Sequence, residues 1–214
     1  MKKYFVKTPW WLKKIYPSYV WDIKTDEKVL YLTFDDGPHP IATPFVLDTL
    51  NQYNAKATFF CLGKNVEAND AIYKRIIQEG HMAGNHTYNH LNGWKTENET
   101  YLADVSNAAK KIDSSLFRPP YGRIKTSQAK QLAGAMGVKK AKVIMWDVLS
   151  GDFDVTILPE QCYKNVTRSS RPGSIIVFHD SEKAFPVLKK ILSEILQFFS
   201  DNDYGFRVMP EPNH

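Results

Sequence analysis

Cysteine is scarce: the 214-residue chain has two, Cys61 and Cys162. That excludes a disulfide scaffold and any four-thiolate metal site, and points to two buried thiols; a single bridge between them stays open. No run of about 18 apolar residues occurs, so no membrane span is expected. The longest stretch without Asp, Glu, Lys or Arg runs from Gly80 to Trp94 and is rich in His and Asn. Basic residues outnumber acidic ones by 28 to 23, but they form no stripe. The pairs Lys2-Lys3, Lys13-Lys14, Lys110-Lys111, Lys139-Lys140 and Lys189-Lys190 read as solvated faces. Nucleic acid is therefore not an expected partner.

The first residues also lack the pattern of a cleavable leader. Met1-Lys2-Lys3-Tyr4-Phe5-Val6 begins like a signal peptide, but Lys7 and Pro9 break the apolar part and no small-residue cleavage site follows. The expectation is no cleavable signal, with a cytoplasmic location slightly favoured. Residues 1–28 read as a segment packing on the domain. Trp10, Trp11, Ile15, Tyr16 and Tyr19 among lysines leave contact with a membrane interface as the alternative.

What is present is an ordinary globular balance, 43% hydrophobic and 24% charged, in a chain of single-domain length. Apolar runs alternate with helical periods. Strands are expected at residues 29–34, 57–61, 82–85, 116–117, 142–146, 174–178 and 206–209. Helices are expected at 43–53, 69–79, 97–113, 127–136, 159–169 and 182–200. Thr43 reads as the cap of the first of them, with Pro44 at its first turn. Seven strand–helix steps imply parallel βαβ units, hence an α/β fold: an irregular (β/α)7-type barrel over residues 29–214. In such barrels the chemistry gathers at the C-terminal ends of the strands.

Those ends are unusual. Asp35-Asp36-Gly37-Pro38 follows the first strand. Two adjacent carboxylates at a buried strand end repel each other and both lose hydration, so a cation stands near or one is protonated; a plain turn is the alternative reading. His86-Thr87-Tyr88-Asn89-His90 follows the third strand, and His-x3-His puts two imidazoles on one side of a helical turn. Two His and one carboxylate suit Zn²⁺ or a similar divalent ion. Arg118 follows the fourth strand, where its fork can hold a carboxylate. Asp147 and Asp152 follow the fifth, and His179-Asp180 the sixth. Each has a structural reading when taken alone; five strand ends of this kind in one chain are hard to explain by packing.

Thr33-Phe34-Asp35-Asp36-Gly37-Pro38, His86-Thr87-x-x-His90, Arg118-Pro119-Pro120-Tyr121, Trp146 to Asp152 and Ile176-Val177-Phe178-His179-Asp180 resemble, in order, the five motifs of the polysaccharide deacetylases, the NodB-homology carbohydrate esterases of family 4. The fourth departs: Leu149-Ser150-Gly151-Asp152-Phe153 stands where the family has an Asp-Ser-x-Asp-Trp run. The resemblance implies a metal-dependent enzyme that removes acetyl groups from N-acetylated sugars of a glycan. It implies Asp36, His86 and His90 as ligands of a divalent ion, Zn²⁺ or Co²⁺. Asp35 is then the base for the attacking water and Arg118 its partner. Tyr121 offers a backbone N–H to the oxyanion, His179 is the acid, and Asp152 orients it. Tyr121, Phe153 and Val177 would enclose the acetyl methyl.

An O-acetyl ester or another small amide is the alternative substrate, and a non-catalytic carbohydrate-binding relative the alternative class. Oligomeric state is not readable. His39 reads as a loop residue, His81 as structural and Trp94 as packing, while His214 is uninformative.

Overall fold

Both faces of a parallel strand are covered, so its sequence is apolar without alternation. That is how Val29–Asp35 (β1) and Ala57–Cys61 (β2) read, and both are buried along their whole length. The remaining strands are Met82–Asn85 (β3), Leu116–Phe117 (β4), Lys142–Val143 (β5), Val148–Leu149 (β6), Ile175–His179 (β7) and Gly205–Phe206 (β8). The computed structural model describes residues 4–210; the Lys2-Lys3 pair and His214 lie outside the described residues.

All ladders are parallel and run β5-β4-β3-β2-β1-β7-β6, with β8 against the first two residues of β1. This is the expected irregular (β/α)7-type barrel. The strand expected at 142–146 is instead two short ones. Leu116 and Phe117 pair with Lys142 and Val143, whereas Val148 and Leu149 pair with Ile176 and Val177. One stretch of chain thus leaves the edge of β4 and joins the edge of β7. Val20 bridges to Ile144 within the gap.

Nine α-helices are described: Trp10–Ile15 (α1), Ala42–Gln52 (α2), Gly63–Ala68 (α3), Asp70–Gln78 (α4), Asn98–Ala109 (α5), Thr126–Ala129 (α6), Leu132–Met136 (α7), Pro159–Ser169 (α8) and Phe185–Ser200 (α9). The expected 127–136 helix is broken into α6 and α7, and α1 and α3 were not expected. The Thr43 cap is also corrected. Helix α2 begins at Ala42, and the ring Nδ1 of His39 accepts the backbone N–H groups of Ile41 and Ala42. Thr43 turns its hydroxyl to Asp180 instead.

Side-chain alternation along β1 divides the core. Leu30, Leu32 and Phe34 pack outward among residues of α2, α8 and α9. Val29 and Tyr31 pack with Phe60, Leu116, Ile144 and Ile175, and Val20 and Ile23 of the N-terminal segment join this group. That segment is laced to the sheet: Lys7 bridges to Val148 and Asp22 to Ser174. Helix α1 itself buries no residue. Cys61 and Cys162 are both buried and are not joined to each other.

Candidate metal centre and active site

Parallel registry sets the first pair of site residues. Asp35, the last residue of β1, lies beside His179, the last of β7. Arg118, one residue beyond β4, reaches into the interior and is fully buried. Its Nη1 donates to Asp35 Oδ1 and to Thr33 Oγ1, each at 2.7 Å. Its Nε and Nη2 donate to the carbonyls of Ile144 and Met145, and the guanidinium lies 4.1 Å from the Phe60 ring centroid. The expected two-pronged fork on Asp35 is therefore corrected to a single nitrogen. The open gap between β5 and β6 leaves carbonyls 144 and 145 in need of donors, and the arginine supplies them. Removing Arg118 would leave Asp35 as an uncompensated buried charge.

The two metal-type histidines do not share a helical turn, which corrects the reading of the His-x3-His spacing. His86 and His90 lie in a loop whose backbone is left-handed at Thr87 (φ 68°) and at His90 itself (φ 63°). Such strain persists only where the surroundings enforce it. Here Asp104 of α5 does so, accepting from the backbone N–H groups of Tyr88 and Asn89 and from the Asn89 amide. Nothing in the sequence singled out Asp104; a carboxylate in mid-helix reads as a solvent-facing residue. Asp36 is left-handed too, at φ 79°, and its carbonyl is held by the Asn65 amide.

His86 Nε2 and His90 Nε2 stand 3.7 and 3.3 Å from Asp36 Oδ1, and the three donor atoms fall within one small cluster. His86 Nδ1 lies 2.7 Å from the Arg118 carbonyl, which can only accept, so Nδ1 carries the proton and Nε2 a lone pair. Buried Asp36 Oδ1 has no hydrogen-bond partner among the described residues. Ligands about 2.0–2.2 Å from a tetrahedral ion stand roughly 3.4 Å apart. The spacing, the orphaned oxygen and the N,N,O donor set all fit a divalent cation.

Burial alone would raise the Asp36 pKa, but His179, His86 and His90 outweigh it and the carboxyl is lowered. Burial, aided by His86, pushes His90 down to about 4, which leaves the imidazole neutral and able to ligate. His179 behaves oppositely. Burial disfavours its cation, yet Asp152 overrides that and lifts it to about 9. Asp152 Oδ1 accepts from His179 Nδ1 at 2.8 Å, and its Oδ2 accepts the His179 backbone N–H. Asp180 is raised to about 7, chiefly by burial. It accepts from the Gly37 N–H and the Thr43 hydroxyl, which ties the end of β7 to the Asp35-Asp36 turn. Gly37 is required there, because a Cβ would overlap the Asp180 carboxylate. The sequence offered Asp180 only as a neighbour of His179.

Tyr121 is left-handed (φ 60°) and exposed; its ring packs on His90 at a centroid distance of 4.6 Å, tilted by 58°, and its hydroxyl lies 3.2 Å from His90 Nδ1. Phe153 packs edge-on against His179 at 5.1 Å. Val177 is buried and, by strand alternation, shares the face of Ile175 and His179. An opening of about 320 Å³ is lined by Asp36, His39, Asn65, His90 and Glu182. His81 is buried, pushed down to about 4 by its surroundings, and packs on Phe59. Trp94 is half exposed, and its indole N–H donates to the Ile124 carbonyl.

A polysaccharide deacetylase family model matches residues 22–141, over half of the chain. The chain belongs to the polysaccharide deacetylase family. The expected enzyme class, a deacetylase hydrolase, is borne out. A peptidoglycan-N-acetylglucosamine deacetylase of Bacillus cereus is 34% identical over 197 residues, 89% of this chain and 91% of that protein. A chitooligosaccharide deacetylase of Azorhizobium caulinodans is 32% identical over 165 residues, 74% of this chain and 76% of that protein. Among solved structures, a peptidoglycan N-acetylglucosamine deacetylase in complex with a naphthyl hydroxamate superposes at TM-score 0.84, with 31% identity and 95% of each chain covered. A CE4-family pseudoenzyme from Bacillus anthracis superposes at 0.76 with 22% identity over 89% of this chain and 66% of that one. Such a likeness speaks for the fold alone. For this polysaccharide deacetylase the chemistry has to be argued from the residues themselves.

Proposed function

We propose that this deacetylase hydrolyses the N-acetyl groups of amino sugars in a glycan or oligosaccharide, as a metal-dependent enzyme with Asp35 as base and His179 as acid. The observation that carries the reading is the convergence of Asp36 Oδ1, His86 Nε2 and His90 Nε2 with no hydrogen bond to the carboxylate oxygen. Asp36, His86 and His90 would hold the ion, Zn²⁺ by the chemistry of the donor set. Bound there, it supplies Lewis-acid charge that acidifies water and polarises a carbonyl.

The chain's own residues do the rest. Asp35, held by Arg118 Nη1, takes the proton of the attacking water. The backbone N–H of Tyr121 donates to the oxyanion, a contact of a kind whose removal costs about 100- to 1000-fold. His179, held as a cation by Asp152, gives its proton to the leaving amine nitrogen as the C–N bond breaks. A protonated acid suits an amide, whose amine is a poor leaving group, better than an ester. Tyr121, Phe153 and Val177 enclose the acetyl methyl.

The test is acetate release from acetylated chito-oligosaccharides, peptidoglycan fragments and acetylated xylan, with Zn²⁺ or Co²⁺ added. Release from the amino sugars, abolished by chelation, is expected. Release from xylan alone would move the activity to O-acetyl esters, and release from none would reject the reading. His179→Ala should impair amides more than activated esters; equal loss would remove His179 as the acid.

A further inference from the structure

The fourth motif carries Phe153 where the family has Trp, and a residue far away in sequence packs against it. Tyr4 packs against Phe153 at a centroid distance of 5.2 Å. Its hydroxyl donates to Asp154 Oδ2 at 3.0 Å, and Asp154 Oδ1 accepts from the backbone and hydroxyl of Thr156. The same loop passes through Gly151 at φ 86°, where a Cβ would stand 2.9 Å from the Tyr4 hydroxyl oxygen. Backbone pairing delivers Tyr4 to this place: the Leu149 N–H donates to the Val6 carbonyl and the Thr8 N–H to the Asp147 carbonyl.

Tyr4 also borders an aromatic cleft of about 360 Å³, together with Tyr19, Trp21, Tyr121, Trp146 and Leu149. Phe153 and Val177 do not line that cleft. Leu149 pairs with Val177 across the sheet, and Tyr121 packs against His90, so the cleft adjoins the site on two sides. Tyr4 thus stands between Phe153 and an apolar space large enough for several methylenes.

We propose that Tyr4 is a specificity-determining residue: by backing Phe153 it closes the acyl pocket off from the aromatic cleft and restricts the acyl group to acetyl. The inference rests on the deacetylase reading above. The bond broken is unchanged: water adds to the acyl carbonyl, the C–N bond breaks and the amine nitrogen takes the proton. Only the room behind the acyl carbon differs. Loss of Tyr4 would open that room into the cleft.

The experiment compares N-acetyl, N-propionyl and N-butyryl chito-oligosaccharides as substrates of the wild type, Tyr4→Ala, Tyr4→Leu and Tyr4→Phe. Trp10→Ala, on the exposed face of α1, is the control. Each methylene in an apolar pocket is worth roughly tenfold or more. Tyr4→Ala should therefore raise the propionyl-to-acetyl ratio of kcat/KM about tenfold and the butyryl-to-acetyl ratio about 100-fold, and Tyr4→Phe should stay within about twofold of wild type. Tyr4→Leu keeps apolar bulk without the ring and serves if the alanine variant does not fold. An unchanged ratio in folded Tyr4→Ala or Tyr4→Leu would overturn the inference.

A second readout needs no turnover. Zinc-loaded proteins are titrated with aceto- and butyrohydroxamate, and the affinity ratio should shift in the same direction; an unshifted ratio also overturns the inference. Should the wild type release no acetate, the deacetylase reading fails, while the hydroxamate ratio still decides the role of Tyr4.

Discussion

Asp36 and Asp147 are both carboxylates with buried oxygens at the sheet, and they are treated in opposite ways. Asp147 lies near the start of β7, and its side chain has no solvent exposure. It accepts from Lys7 Nζ at 2.5 Å, Lys13 Nζ at 2.6 Å and Ser174 Oγ at 2.6 Å. Lys13 is shared with Asp22. Asp36 follows the C-terminal end of β1, and its buried Oδ1 has no donor at all among the described residues. Leaving a buried acceptor unmet normally costs about 1–3 kcal/mol, more for a charged group. The lesson is that satisfaction separates a structural charge from a chemical one. Asp147 clamps the N-terminal segment to the barrel, while Asp36 faces the two imidazole nitrogens of His86 and His90.

The comparison breaks most sharply through Asp35, the neighbour of Asp36 that Arg118 already satisfies. Asp35→Asn should keep metal content and lower kcat by about 100- to 10,000-fold, the usual worth of a positioned base, while the melting temperature falls because the buried Arg118 guanidinium loses its charged partner. Turnover at the wild-type rate would show that Asp35 is not that base. Asp147→Ala should act on stability instead of turnover. It leaves Lys7, partly exposed and still bonded to the Ser169 carbonyl, and Lys13, still paired with Asp22, without their shared partner, a loss of about 1–3 kcal/mol read as a lower melting temperature. Amide exchange over residues 6–23 should rise with it. Metal content unchanged beside a lowered melting temperature is the expected pair of results; a stable Asp147→Ala would deny the clamp.

His90→Ala should weaken zinc binding by more than about 100-fold, since loss of even an outer partner of a ligand typically costs 10- to 100-fold. The metal-free melting temperature should barely move. Undiminished metal content in the purified variant would remove His90 from the ligand set.

The smallest effect is on the pH dependence of the metal-free protein. His179 has its pKa raised to about 9, burial opposing and Asp152 prevailing. Its contribution is therefore full below about 6.5, the value of an unfolded histidine, and is lost as pH rises through about 9. Burial would raise Asp147, but Lys13, Lys7 and Ser174 lower it. Its contribution is present above the ordinary carboxylate range and is lost as pH falls below it. Asp152→Asn should flatten the alkaline limb of a pH–stability profile and Asp147→Asn the acid limb. An alkaline limb unaltered in Asp152→Asn would contradict the Asp152–His179 coupling.

Much of the barrel was legible because a strand covered on both faces has to be written as an unbroken apolar run. VLYLTF, ATFFC and SIIVF can hardly be anything else, and the polar residues after them had nowhere to go but the strand ends. Asp36, His86 and His90 were singled out by their places after strands and by the family resemblance, although the spacing of the two histidines suggested a helical turn and the chain uses a strained loop. Other assignments failed where a side chain's partner is remote. Thr43 looks like a cap from its neighbours, yet Asp180 claims its hydroxyl and His39 takes over the capping. Arg118 looks like a fork for one carboxylate, yet two carbonyls in the gap between β5 and β6 draw off two of its nitrogens.

The amino-acid order by itself thus determined the element types, the parallel barrel and the identity of the groups at the strand mouths, because hydrophobic period and turn chemistry act over a few residues. Only the tertiary structure decided which buried charges find donors and which do not. It also decided that Tyr4 and Lys7, at the far end of the chain from Phe153 and Asp147, belong to the same neighbourhood. Pairing across about 140 residues is set by how the sheet curls and which edge it leaves open, and no local pattern encodes that.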